Sequence, residues 1–371
     1  MGTCEAPLKE SRPATRRDAL RRLGMQGGML ALSLPAHTGL AFAAGGTAAP
    51  GNRKARSKAG KVWTMKGSVG IDTLGTTLIH EHVLFGMIPD DLRAASVEFA
   101  VKLLNGAARV GIESVVDLSP ARDIRLYQKV ADQVSIKIVP STGFYLYGRM
   151  PKAMQEMNED QMFEHMLREV TEGIDGTKIR AGIIKVAAAK TPITQWEQSV
   201  FRAAAKVQKK TRTPIATHAI FEPRAQFDLL VNTGADPKRC FFSHIEAEFG
   251  WGGRPLEQQA EYLLSIAKEG GSLLFNNFGY EADTPWAHMV FLLRHLCDKG
   301  HANRILTSVD CNWEWKEGKV VFASDRHPES GKKTYAYMMT DAVPALLKAG
   351  FSAKEIQTFL VDNPRRFFGG E

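Results

Sequence analysis

The chain has 371 residues, 44% hydrophobic and 24% charged, which excludes a mainly disordered, collagen-like or multi-span membrane protein. Its formal charge of +8 is concentrated near the N-terminus. Residues 1–43 hold six Lys/Arg against three Asp/Glu, residues 44–66 hold six basic residues and no acid, and the rest is neutral to within one charge, so the excess makes no case for a nucleic-acid surface.

In chain order, the first feature is Thr15-Arg16-Arg17-Asp18-Ala19-Leu20, followed by a modest apolar run from Leu23 to Leu34, Pro35 and Ala41-Phe42-Ala43. This resembles a twin-arginine export signal with cleavage after Ala43, so the expected destination is the periplasm and the first partner is the twin-arginine export machinery. The run is too short and too rich in glycine to anchor the chain in a membrane. Residues 44–66 read as a basic, flexible linker, leaving 67–371 as the folded domain. Of the four cysteines, Cys4, Cys240, Cys297 and Cys311, none forms a Cys-x-x-Cys pair, which argues against a cysteine zinc knuckle or a dense disulfide framework.

From Val69 onward a short apolar run and a helical stretch alternate. Strands are predicted at Thr76–His80, Ile112–Asp117, Ile136–Ser141, Ala181–Val186, Ile215–His218, Cys240–His244, Ser272–Asn276 and Ile305–Asp310. Helical patterns between them cover Leu92–Leu104, Phe163–Val170, Trp196–Lys209, Gln258–Lys268, Met289–Asp298 and Thr334–Lys348. Eight such units predict an α/β fold closed into a (β/α)8 barrel, with an open doubly wound sheet as the alternative. No Gly-x-Gly-x-x-Gly follows an early strand, and Ser330-Gly331-Lys332-Lys333-Thr334 lacks the upstream glycine of a phosphate loop.

His80, Lys185, His218, His244 and Asp310 stand at or near the C-terminal ends of these strands, the face where barrel enzymes gather their chemistry. His80 and His82, two apart on a strand, point to one side and can share an ion, although two surface histidines would give the same string. Glu81 points away and reads as structural. Lys185 interrupts an apolar strand, where an ammonium is costly. It reads as a salt bridge, a Schiff-base lysine, or a neutral amine that adds carbon dioxide to become a metal-bridging carbamate. His218 and His244 taken singly could be structural, and Asp310 could cap a helix. Together the six make a two-metal set.

Several stretches carry a resemblance: Leu74-Gly75-Thr76-Thr77-Leu78-Ile79-His80-Glu81-His82, Ser141-Thr142-Gly143, Ile179 to Val186, Thr217-His218, Ser243-His244 and Asn363-Pro364-Arg365-Arg366-Phe367. In this order, over roughly residues 62–368, the chain resembles the phosphotriesterase family of the amidohydrolase superfamily. The resemblance implies a TIM barrel with two divalent ions, with Zn²⁺ expected and Mn²⁺, Co²⁺ or Fe²⁺ also fitting the donors. His80, His82 and Asp310 would hold the buried ion, and His218 and His244 the exposed one. Carboxylated Lys185 and a hydroxide would bridge them, with Asp310 taking the proton of the attacking group.

Departures bear on substrate. Ala247 and Phe278 stand where phosphotriesterases proper carry a relaying Asp and His, leaving Glu246, Glu248 or Asn277 to compensate; Asn277 is also a candidate substrate contact. Gly143-Phe144-Tyr145-Leu146-Tyr147 resembles a lactonase string, so Tyr145 is a candidate substrate contact, with packing as its rival. Trp313 and Trp315, in the loop after the last strand, suggest an apolar substrate wall, with homodimer packing as the rival. The expected activity is hydrolysis of a small ester, lactone or organophosphate triester. The alternatives are a metal-dependent deaminase or nuclease on the same barrel, or a periplasmic binding protein without activity.

Overall fold

The computed structural model describes residues 60–84, 86, 88–326 and 333–371. The export signal expected over 1–43 and the first part of the linker, to residue 59, lie outside the described residues. The linker does not extend to 66: Lys61–Thr64 (β1) pairs antiparallel with Gly67–Gly70 (β2) in a hairpin. Alternation explains it, since Val62 and Thr64 are buried while Lys61 is exposed, and Arg180 lies 4.7 Å over the Trp63 ring.

The barrel strands are Thr77–Glu81 (β3), Ser114–Asp117 (β4), Lys137–Gly143 (β5), Ile183–Ala187 (β6), Ile215–His218 (β7), Cys240–Ser243 (β8), Ser272–Phe275 (β9) and Ile305–Thr307 (β10). They pair in parallel, each with its sequence neighbour, in a single eight-stranded sheet. Helices alternate with them, as in Arg93–Arg109, Gln195–Thr211 and Leu256–Lys268. The eight predicted strands are present, with ends shifted by up to three residues. The helices Ile124–Ala131 and Pro223–Asn232 and the hairpin Trp313–Lys316 (β11) with Lys319–Phe322 (β12) were not predicted. The helix expected over Thr334–Lys348 is split. A π turn, Met338–Ala342, precedes Val343–Lys348, because Pro344 has no N–H to continue the α-helical ladder.

The interior is packed. Ile79, Val116, Val139, Ile183, Ala216, Phe241, Leu274 and Leu306, one from each barrel strand, join a buried apolar cluster closed below by Leu74 and Phe367. Two residues further along several strands the apolar character ends. There stand Lys185 after Ile183, His218 after Ala216, Asn276 after Leu274 and Ser308 after Leu306. The pleat therefore lifts polar groups onto an apolar floor.

The sheet's two edges meet through side chains. The Ser308 hydroxyl donates to Glu81 Oε1 at 2.6 Å and accepts the His80 N–H at 3.0 Å. Glu81 also accepts from the Val309 N–H at 3.0 Å and the Cys311 N–H at 2.6 Å. Glu81 is thus the seam between β3 and β10. Burial pushes its carboxyl up to about 8, against the pull of those donors.

Candidate metal centre

The structure brings the six sequence-predicted ligands together at the C-terminal mouth of the barrel. His80 and His82 reach the same side through a bulge, since two residues of β3, Ile79 and His80, stand against the one Val116 of β4. Such bulges re-aim side chains at strand ends. His82 Nε2 lies 3.3 Å, and His80 Nε2 3.6 Å, from Asp310 Oδ1. His244 Nδ1 is 3.9 Å from Asp310 Oδ2. His80, His244 and Asp310 offer ligand atoms within 4.8 Å of one another. The His218 ring stands edge-on to His244, with centroids 4.6 Å apart, and Lys185 Nζ is 3.5 Å from His80 Nε2. His244 and Asp310 both adopt left-handed backbone, with φ of 62° and 51°, which is strained for residues with a Cβ.

The electrostatics favour donor lone pairs. Burial, then the charge of Lys185, holds His80 well below the usual imidazole range; burial and His244 do the same for His218. Burial takes His244 down to about 4. Burial alone would raise Asp310, but His80, His82 and His244 hold it well below the usual carboxylate range. Lys185, fully buried, is pushed by burial down to about 7 even though Asp310 and Asp117 oppose it. His80 Nδ1 is buried without a hydrogen-bond partner, and Asp310 Oδ1 faces the ring nitrogens of His82 and His80. Neutral imidazoles, an ionised carboxylate and an amine that loses its proton near neutral pH fit a divalent-metal site.

Neighbours hold these ligands in place. Ser119 Oγ lies 2.8 Å from His82 Nδ1, and Asp117 accepts from the N–H groups of Val83 and Ser119 at 2.6 and 2.9 Å. Asn276 fixes His244 twice. Its Oδ1 accepts the His244 N–H at 3.1 Å, and its Nδ2 lies 2.9 Å from the ring Nδ1. The sequence reading passed over both Ser119 and Asn276. A polar residue directly after an apolar strand would have pointed to Asn276.

Among the candidate substrate contacts, Tyr145 stands edge-on to His218 at 5.3 Å and 5.9 Å from Lys185 Nζ, beside the ligands. Asn277 is 8% exposed and directs its Nδ2 to Thr284 Oγ1 at 3.3 Å. Trp313 does not form a substrate wall. It is 2% exposed and packs edge-on against Phe99, with centroids 4.8 Å apart, while Trp315 Nε1 donates to Ser96 Oγ at 2.8 Å. Both tryptophans dock the β11–β12 hairpin onto the Arg93–Arg109 helix, because large apolar rings there bury against a helix face.

Of the residues offered as compensating for the missing relay, Glu248 pairs with His288, away from the ligands. Glu246 is buried and accepts the Asn276 and Asn277 N–H groups at 2.6 and 2.7 Å. Its other oxygen has no partner, and burial pushes it up to about 7. Lys333 also escaped the sequence reading. It is 1% exposed, its Nζ lies 3.3 Å from the Tyr280 ring centroid, and burial takes it down to about 7 despite Asp310, Glu81 and Glu246.

A parallel barrel with histidines, an aspartate and a buried lysine at its C-terminal mouth defines a metal-dependent hydrolase. The profile of the phosphotriesterase family matches residues 60–368, and the chain belongs to that family. It is 27% identical over 318 residues to an aryldialkylphosphatase of Saccharolobus solfataricus, covering 82% of this chain and 98% of that protein. It is 24% identical over 363 residues to an N-acetyltaurine hydrolase of Xenopus tropicalis, covering 84% and 98%. A mutant of a phosphotriesterase-like lactonase from Deinococcus radiodurans superposes with a TM-score of 0.73 at 31% identity, over 83% of this chain and all of that one.

Proposed function

We propose that the protein cleaves a small ester-type substrate, a lactone, carboxylic ester or phosphotriester, after export to the periplasm. In this reading His80, His82 and Asp310 would hold one divalent ion, His218 and His244 would hold a second, and a carboxylated Lys185 would serve as a ligand to both. When bound, two such ions, expected to be Zn²⁺, supply Lewis-acid polarisation and a nucleophile at neutral pH. The observation that carries the proposal is Lys185 itself. Its amine is fully buried, pushed down to about 7, and 3.5 Å from a ligand histidine. A neutral amine is the form that reacts with carbon dioxide, and the resulting anion offers two oxygens to two cations.

Asp310 holds a proton acceptor at the mouth, 23% exposed in its side chain and thus open to substrate. Tyr145 offers a phenol beside His218, close enough to orient a polar group of the substrate. The amide activity carried in the names of the N-acetyltaurine hydrolases supports a second reading, cleavage of an N-acyl amide, on the same ligands.

The test is a panel of a γ-lactone, an aryl ester, a dialkyl aryl phosphate and N-acetyltaurine, assayed with metal-loaded protein. Turnover of the first three in preference to the amide supports the proposal. Amide turnover alone replaces it with the second reading, and no turnover of any of them contradicts both.

A further inference from the structure

A second cavity lies at the opposite end of the barrel from the ligands. It is a cleft of about 1040 Å³ at the N-terminal ends of β6, β7 and β8, reached by Gly182, Pro214 and Arg239. Seven cationic side chains line it, Arg239 and six others: Lys61, Arg180, Lys210, Arg212, Arg365 and Arg366. Among the described residues none of the six makes an ion pair, although the chain forms such pairs freely elsewhere. The acidic lining is Asp72, Asp362 and Glu371.

The cations are crowded. Arg239, 8% exposed, spends its guanidinium on the carbonyls of Arg212 and Phe368, at 3.1 and 2.8 Å, and on that of Gly369. Burial and the neighbouring charge of Arg212 lower its pKa. Arg365 Nε is buried with no hydrogen-bond partner. The remaining wall is apolar, from Trp63, Leu167, Val170 and Phe368.

We propose that this cleft binds a phosphate-bearing anion. Planar guanidinium groups meet phosphate oxygens with paired hydrogen bonds, and several cations without a carboxylate partner suit a group with more than one negative charge. The volume exceeds what inorganic phosphate needs and falls at the upper end for organic ligands, and the apolar wall gives the rest of such a molecule a surface to lie on. A phosphate ester in solution and an anionic phospholipid headgroup share this chemistry. Because the N-terminal face of a barrel carries stability rather than catalysis, the ligand is expected to stabilise the fold.

Calorimetric titration of the full, metal-loaded chain with inorganic pyrophosphate tests the site. Binding is expected, with a rise in Tm of a few degrees at saturation. The double variant Lys210→Glu/Arg365→Gln should bind at least about tenfold more weakly and keep the Tm of the unliganded wild type. These substitutions leave the metal ligands intact, so the loss assigns the binding to the cleft. Sedimentation with phosphatidylcholine vesicles containing phosphatidylglycerol, competed by pyrophosphate and lost in the double variant, would identify a lipid headgroup. Pyrophosphate binding without sedimentation would identify a soluble phosphate ester. Unchanged affinity in the double variant, or no heat and no Tm rise beyond sodium chloride at matched ionic strength, overturns the proposal.

Discussion

Asn276 supplies no ligand atom, yet it holds both the backbone and the ring of His244. Removing it frees the imidazole to rotate away from Asp310. Asn276→Ala is therefore expected to weaken metal affinity about 10- to 100-fold, measured by competition with a chelator; unchanged affinity would mean the backbone alone orients the ring. Lys333 makes a different prediction. Its amine sits at about 7 in the fold against an ordinary value of 10.5. Below pH 7 both folded and unfolded chains carry the proton, so the full cost of the buried charge is present. Between 7 and 10.5 the unfolded chain binds more protons than the folded one, and that cost fades as pH rises. Lys333→Met should thus stabilise the protein by about 2–3 kcal/mol below pH 7, with the gain vanishing towards pH 10. Urea denaturation across this range reads it. A gain independent of pH would assign the effect to packing.

At the scale of elements, the seam between β3 and β10 depends on one carboxyl. Glu81 accepts three donors, and an amide in its place turns one N–H towards another. Above pH 8, where the Glu81 carboxyl is ionised, Glu81→Gln should cost about 2 kcal/mol, seen as a lower urea midpoint, whereas an unchanged midpoint would show that the edges close without it. The same strand marks a boundary of sequence reading. Period-2 logic put His80 and His82 on one side, and they are on one side. It also implies that Ile79 faces away from them, yet Ile79 belongs to the barrel interior. The bulge that reconciles these positions arises from pairing with β4, which a strand read alone does not contain. Trp313 shows the opposite failure: its place after Asp310 suggested a site wall, but the β11–β12 hairpin turns it onto Phe99.

At the scale of the whole molecule, the barrel was legible because each strand is an apolar run with a polar residue in or near its C-terminal end, and those polar residues also build the candidate metal centre. The supporting residues Ser119 and Lys333 were not legible, because only the closed barrel sets them near the ligands. The N-terminal hairpin was hidden by the positive charge of Lys61 and its neighbours. Residues 1–43 carry a separate prediction. Replacing Arg16 and Arg17 by Lys should leave the protein in the cytoplasm with this segment uncleaved, and normal periplasmic processing of that variant would refute the assigned signal.

The most direct measurement is the metal content of the purified protein by elemental analysis, for the wild type and for Lys185→Ala with and without acetate. The wild type should hold close to two transition-metal ions per chain. The variant should lose metal and activity together, and acetate should restore part of both by bridging where the lysine stood. A wild type without bound metal after metal-supplemented growth, or a Lys185→Ala variant that keeps both ions and full activity, would contradict a binuclear centre bridged by Lys185.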